Sequence, residues 1–257
     1  MGTPRLKDPA EVDAMAASGA VLAGVLDALA DVVAVGVTTN DLDAFARERI
    51  RAGGGVPSFL GYRGFPGSIC ASPNDLVVHG IPGPRPLADG DVVSLDVGVT
   101  LDGWVTDAAR TFVVGEAAEE DLHLVAVGES ALADAVAACR PGNMVGDVGA
   151  AVQGRAAREG VGVFPSLIGH GVGRRLHEEP QVPNVGRPGQ GIHLRPGLVI
   201  AVEPMLTLGR PAIRLSPDGW SVFTVDGARA THAEVTVAIT EHGPRVLTPW
   251  GGSGRWP

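Results

Sequence analysis

The sequence predicts an α+β fold of two similar halves, each an α-α-β-β run, with antiparallel sheet on one side and helices on the other. Three observations lead there. Two helix-patterned segments followed by short strand-patterned runs occur twice along the chain. The 37 glycines and 20 prolines among 257 residues demand many turns, which excludes an all-helical architecture. The two helix–helix junctions, Gly36-Val37-Thr38-Thr39-Asn40-Asp41-Leu42 and Gly142-Asn143-Met144-Val145-Gly146-Asp147-Val148, line up at an offset of 106 residues, with glycine and aspartate coinciding.

The first helix has a marked start: Asp8 as N-cap, Pro9 at the first helical position, and Glu11 completing a capping box. Its apolar pattern runs to about Ala34, and Gly36 stops it. A second helix is expected from about Thr39 to Ala52, ended by Gly53-Gly54-Gly55. Short β-type runs fill residues 58 to 114. The clearest are Asp91 to Gly98 and Trp104 to Ala108, joined through Leu101-Asp102-Gly103 as a hairpin. A long helix over 118 to 139 follows, stopped by Pro141-Gly142, then a shorter one from about Val145 to Glu159, ended by Gly160. Further strands are expected at Gly197–Glu203, Trp220–Val225 and Ala233–Ile239. One catalytic domain over 1–257 is expected, with residues 250–257 as a frayed tail.

A net charge of −9 and pI of about 5.2 speak against a nucleic-acid or anionic-membrane binder. Two cysteines, Cys70 and Cys139, cannot build a disulfide framework and fit a reducing, cytoplasmic setting. No run of about 18 apolar residues lacks interruption by charge, Gly or Pro, and the N-terminus does not read as a signal peptide, so no membrane span is expected.

Chemistry concentrates in a few acids and histidines. Asp96 and Asp107 lie on the two arms of the hairpin. A turn centred on Leu101-Asp102 sets them directly opposite, and one centred on Asp102-Gly103 sets them diagonally. Both registers put the two carboxylates on one face. Asp96 interrupts an apolar strand, so the pair repels unless a cation joins it. His170 and His177 fall within Gly169-His170-Gly171-Val172-Gly173-Arg174-Arg175-Leu176-His177-Glu178-Glu179-Pro180, which the glycines and Pro180 predict to be a loop. Glu203 ends the buried run Val199-Ile200-Ala201-Val202, and Glu234 opens a strand. Asp96, Asp107, His170, Glu203 and Glu234 together offer four carboxylates and one imidazole. That set suits Mn²⁺, Fe²⁺, Co²⁺ or Zn²⁺ and suits copper or an iron–sulfur cluster poorly. Four carboxylates balance two divalent cations, an arrangement used for hydrolysis.

At this point the residues resemble a family. Gly61 to Cys70, Asn74-Asp75-Leu76-Val77-Val78-His79-Gly80-Ile81-Pro82, Leu95-Asp96-Val97-Gly98, Thr106-Asp107-Ala108-Ala109-Arg110-Thr111, the segment from His170 to Pro180, Ala201-Val202-Glu203-Pro204-Met205 and Asp218-Gly219-Trp220 resemble type I methionine aminopeptidases over about residues 8 to 248. The resemblance implies the pita-bread (creatinase/aminopeptidase) fold with its pseudo-twofold axis. It implies two divalent ions (Co, Mn, Fe or Zn), one held by Asp96, Asp107 and Glu234, the other by Asp107, His170, Glu203 and Glu234. It further implies hydrolysis after an N-terminal methionine, with Glu203 as proton shuttle, His79 at the scissile nitrogen and His177 at the oxygen. The methionine pocket it implies consists of Tyr62, Phe65, Cys70, Leu176 and Trp220, with His79 and His177 also touching substrate. A small second residue is preferred on this reading. The expected partner is the N-terminal methionine of nascent polypeptides, with ribosome association a candidate. The protein is expected to be a monomer without nucleic-acid specificity or membrane attachment.

Three departures stand out. Leu176 stands where the family often has Phe, and Val78 where it often has Cys. Ala233-Glu234-Val235 replaces an aromatic, Glu, His sequence. Two competing readings share the fold: an aminopeptidase P-like Xaa-Pro peptidase, and a non-enzymatic pita-bread binding module. A type II enzyme carries a long insertion between the His170-type and Glu203-type ligands, and the gap here is short.

Overall fold

Asp8 caps the first helix, α1 (Pro9–Ala30), in the computed structural model, which describes residues 3–252. Its carboxylate accepts from the Glu11 N–H, and the Glu11 carboxylate accepts from the Asp8 N–H. α1 ends at Ala30, short of the expected Ala34. The N–H groups of Asp31, Val32 and Val33 fold back onto Ala28 and Leu29 carbonyls, and two adjacent β-branched valines disfavour a further helical turn. Met15, Leu22, Leu26 and Leu29 form its buried stripe. By length and composition alone α1 could cross a membrane, but its apolar face packs on the strands Val92–Leu101 and Trp104–Val113.

α2 (Thr39–Ala52) and α4 (Val145–Glu159) have the expected bounds, and α3 spans Glu119–Ala138. The two junctions that match in sequence also match in structure. Gly36 and Gly142 both adopt positive φ, +89° and +94°. Asp41 accepts from the Thr38 N–H, and Asp147 from the Met144 N–H. Thr38 and Met144 each form a single antiparallel bridge, to Pro86 and His193. The repeat at 106 residues is therefore a repeat of local geometry.

The hairpin of the first half pairs Val92–Leu101 with Trp104–Val113. Leu101 faces Trp104, so the turn is Asp102-Gly103, with φ of +50° and +73°. Two consecutive positive φ angles mark the type I′ turn that matches strand twist. Asp107 therefore faces Gly98 and Asp96 faces Ala109, the diagonal of the two predicted registers. A Cβ on Gly98 would lie 2.6 Å from the Phe59 ring, so glycine is required beside Asp107.

In the second half a five-stranded antiparallel sheet runs in the order Gly243–Val246, Val235–Thr240, Val199–Val202, Ile168–Gly171, Glu178–Pro183. His170 is on a strand here, not in the predicted loop. Its flanking glycines admit neighbouring backbone. A Cβ on Gly169 would meet the Ala201 carbonyl at 2.3 Å, and one on Gly171 the Glu179 carbonyl at 2.1 Å. Two three-stranded sheets complete the architecture. One contains Ala230–His232 paired with Met205–Thr207, and the other Leu76–Val78 paired with Val222–Thr224.

The halves join where Trp104–Val113 meets the start of Val235–Thr240. Ala109 and Glu234 exchange backbone hydrogen bonds of 3.3 and 2.9 Å. The Thr236 hydroxyl accepts from the Asp107 N–H and donates to the Asp107 carbonyl. One hydrophobic cluster runs through both halves, from Leu26 and Val97 to Leu132, Ile200 and Val237. Trp250, placed in the expected frayed tail, is instead fully buried, and its indole N–H donates to the Glu234 carbonyl. The remainder of that expected tail from residue 253 lies outside the described residues.

Candidate active site

The seam between the halves carries the acids. Asp96 and Asp107 enter from the hairpin, Glu203 from the residue after Val199–Val202, and Glu234 from the residue before Val235–Thr240. His170 enters from its own strand. All line one cavity of about 250 Å³, together with the other expected catalytic and substrate-binding residues: Tyr62, Phe65, Cys70, His79, Leu176, His177 and Trp220.

Four carboxylates in so little space are poorly solvated. Burial raises Asp96 to about 7. Burial, then the charges of Asp96 and Glu203, push Asp107 well above the carboxylate range. Glu203 is raised by burial and Asp96, and Glu234 by burial with Asp107, Glu203 and Asp96 adding to it. Without a counter-ion the cluster therefore holds protons that carboxylates ordinarily release. The histidines shift the other way. Burial lowers His170 and His79, takes His177 to about 4 and takes His232 to about 3. The imidazoles are neutral, which is the metal-ligating form.

The donor set fits divalent metal. Asp96 Oδ1, Asp107 Oδ1, Glu234 Oε1 and His232 Nε2 are buried with no hydrogen-bond partner. Such orphaned atoms are costly unless an ion engages them. The ligand atoms of Asp107, His170 and Glu234 lie within 4.8 Å of one another, as do those of Asp96, His232 and Glu234. His170 Nδ1 donates to the Gly171 carbonyl at 2.9 Å, which leaves the Nε2 lone pair facing Asp107 at 3.7 Å and Glu203 at 3.6 Å.

Above the acids the wall divides into a polar and an apolar part. His79 follows Leu76–Val78 with φ of +60°, an uncommon conformation for a non-glycine residue. Gly80 behind it packs against Ala71, whose carbonyl would meet a Cβ at 2.1 Å. His79 is exposed on the cavity wall, yet the protein packed around its ring still lowers its pKa by desolvation. The Tyr62 hydroxyl meets His177 Nδ1 at 2.9 Å, and the rings stack with centroids 5.5 Å apart. Phe65 and Trp220 meet edge to face at 5.1 Å. With Phe59, Cys70 and Leu176 they belong to one apolar cluster.

His232 is the residue that the sequence reading missed. The family pattern directs attention to a histidine after Glu234, where this chain has Val235. The available signal was the period of two along a strand: His232 and Glu234 are two apart, so extended backbone turns both to one face.

The family description "Metallopeptidase family M24" matches residues 13–241. Methionine aminopeptidase 1 of Mycobacterium tuberculosis (strain CDC 1551 / Oshkosh) is 48% identical over 245 residues, covering 93% of this chain and 92% of that protein. The crystal structure of methionine aminopeptidase from Rickettsia prowazekii superposes with a TM-score of 0.94 at 37% identity, over 96% of this chain and 100% of that one. The prolidase from Pyrococcus furiosus shares the fold, with a TM-score of 0.77 at 20% identity, and this chain covers 66% of it. A family match across most of the sequence, and this identity along nearly its whole length, make the chain a member of metallopeptidase family M24.

Proposed function

We propose that this protein removes the N-terminal methionine from polypeptides whose second residue is small, using divalent metal held by Asp96, Asp107, His170, Glu203 and Glu234. The observation that carries the proposal is the cavity itself. Its floor is four carboxylates, three of which (Asp96, Asp107 and Glu234) carry a buried oxygen without a partner, its polar wall is two neutral histidines, and its apolar wall is aromatic. Metal bound there supplies Lewis acidity at the scissile carbonyl and makes water a stronger acid.

The protein's own groups do the rest. Glu203, at the cavity floor, takes the proton that the attacking water gives up and returns it to the departing amine. With the Tyr62 O–H donating to Nδ1, His177 carries its own proton on Nε2 and offers a donor to the oxygen on which negative charge develops. His79, fixed in an unusual backbone conformation, meets the scissile nitrogen from the other side. Tyr62, Phe65, Cys70, Leu176 and Trp220 hold the methionine side chain, and a thioether sulfur sits well against aromatic rings. Leu176 in place of a larger ring leaves that wall roomier.

Two metal ions, with Asp107 and Glu234 shared between them, are part of the proposal, as is a cytoplasmic setting for its two free thiols. The test is release of free methionine from a Met-Ala-Ser peptide by protein loaded with Mn²⁺ or Co²⁺. Release that stops on chelation and returns on re-addition of metal is expected. Equal release after exhaustive chelation contradicts the proposal.

A further inference from the structure

His232 has no part in the ligand set described above, yet it stands inside the carboxylate cluster. Its Nε2 lies 3.6 Å from Glu203 Oε2 and 3.6 Å from Glu234 Oε2. Both separations are too long for a hydrogen bond, and Nε2 is buried without a partner. An unpaired buried nitrogen calls for an explanation.

His170 provides the comparison. Its Nε2 lies 3.7 Å from Asp107 Oδ2 and 3.6 Å from Glu203 Oε1. The two imidazoles thus flank the Glu203 carboxylate, one at each oxygen, and each faces a second carboxylate. Ligand bonds of about 2.0–2.2 Å put two donor atoms on one ion roughly 3–3.5 Å apart. The separations around both rings are close to that. The strand carrying His232 is clamped as well. Its N–H donates to the Ser94 and Thr111 hydroxyls, and its carbonyl accepts from Thr111.

We propose that His232 Nε2 is an additional protein ligand of the metal centre, on the ion held by Asp96 and Glu234, so that each ion carries one imidazole. The inference rests on the metal-dependent reading of the site. It also bears on metal choice. A second nitrogen donor favours Co²⁺ or Zn²⁺ over Mn²⁺, which prefers oxygen.

The test is proton NMR in water of the protein loaded with two equivalents of Co²⁺. A cobalt-bound histidine shows its remaining ring N–H as a strongly shifted, exchangeable signal. Two such signals are expected, with one lost in His232→Gln. A single signal that persists in His232→Gln overturns the proposal and leaves the metal site standing on His170. No signal at all overturns the proposal together with that reading. Calorimetric titration adds a second readout. Binding of Co²⁺ to one site of His232→Gln should weaken at least about tenfold, with a smaller loss for Mn²⁺. Unchanged Co²⁺ affinity at both sites contradicts the assignment. The signal count in the unmodified protein decides the matter even if His232→Gln fails to fold.

Discussion

Asp107 is where both halves of the cavity floor meet. Its backbone is tied to Thr236 across the seam, and its side chain faces His170. Asp107→Asn keeps the shape and removes the charge. The variant should fold, bind at least one metal equivalent less, and lose most of its activity. Elemental analysis of the purified protein beside a Met-Ala assay checks this, and full activity with full metal content would refute the shared-ligand role. His79 should behave differently. It lies on the cavity wall outside the proposed ligand set, so His79→Ala should lower kcat by roughly 10²–10⁴, the range for a lost proton-transferring group. Metal content should not change. Loss of metal in that variant would make His79 a ligand.

At this scale the sequence was informative wherever the residue type was out of place. A carboxylate interrupting an apolar strand, or closing one, has few inexpensive explanations. Asp96, Asp107, Glu203 and Glu234 were legible for that reason. His232 was not, because a histidine after Thr231 on a short strand looks ordinary until the fold brings Glu203 beside it.

Elements were legible where capping fixes them. α2 and α4 begin and end where their signals stand, each with an aspartate bonding back to the cap N–H. Strand limits were less legible, because pairing partners set them. His170 is the instructive case: glycines that suggest a loop in one dimension permit close strand approach in three. The segment after it is held by a different device. Lys7, buried near the N-terminus, donates to Glu178 at 2.9 Å, and Glu178 also accepts from the Arg174 and Arg175 N–H groups. A Cβ on Gly173 would press on Lys7 Nζ at 2.8 Å, so the pair needs that glycine. The turn so held carries Leu176 and His177. Lys7→Met leaves Glu178 without its cation. The expected cost is about 3 kcal/mol, the low end for a broken buried pair, because two backbone donors remain on Glu178. Urea unfolding of metal-loaded protein measures this, and kcat should fall as His177 loses its support. Unchanged stability would show that the turn holds itself.

For the whole molecule, the acid cluster makes folding depend on pH and metal together. The folded apo-protein keeps protons on Asp96, up to about 7, and on Asp107, Glu203 and Glu234, all held well above the carboxylate range by burial. The unfolded chain releases these from about pH 4 upward. Their contribution to stability therefore falls as pH rises. The depressed histidines act oppositely: below 6.5 the unfolded chain binds protons that the folded form refuses, so they add stability as pH rises toward that value. The two trends oppose each other up to about pH 6.5, and above it only the carboxylate trend remains. The melting temperature of apo-protein should decline between about pH 6.5 and 8, and saturating Co²⁺ or Mn²⁺ should remove the decline. A flat or rising apo-protein curve across that interval contradicts the account of the cluster.

The pseudo-twofold arrangement was legible from element order and from one seven-residue junction. What the sequence left open was how the halves meet. The seam at Ala109, Glu234 and Thr236 depends on strands far apart in the chain. That seam brings the proposed metal ligands together, but the fold alone does not choose the substrate, since the prolidase from Pyrococcus furiosus shares it. On the proposed function, selectivity belongs to the apolar wall and to the room beside His79. The most direct measurement offers the metal-loaded protein an equimolar mixture of Met-Ala-, Met-Gly-, Met-Leu-, Met-Lys- and Ala-Pro-starting peptides, and follows each product by mass spectrometry. Loss of methionine from the Met-Ala and Met-Gly peptides is expected, with little from Met-Leu or Met-Lys and none of Ala-Pro cleaved. Rapid cleavage of Ala-Pro with Met-Ala untouched would contradict the account.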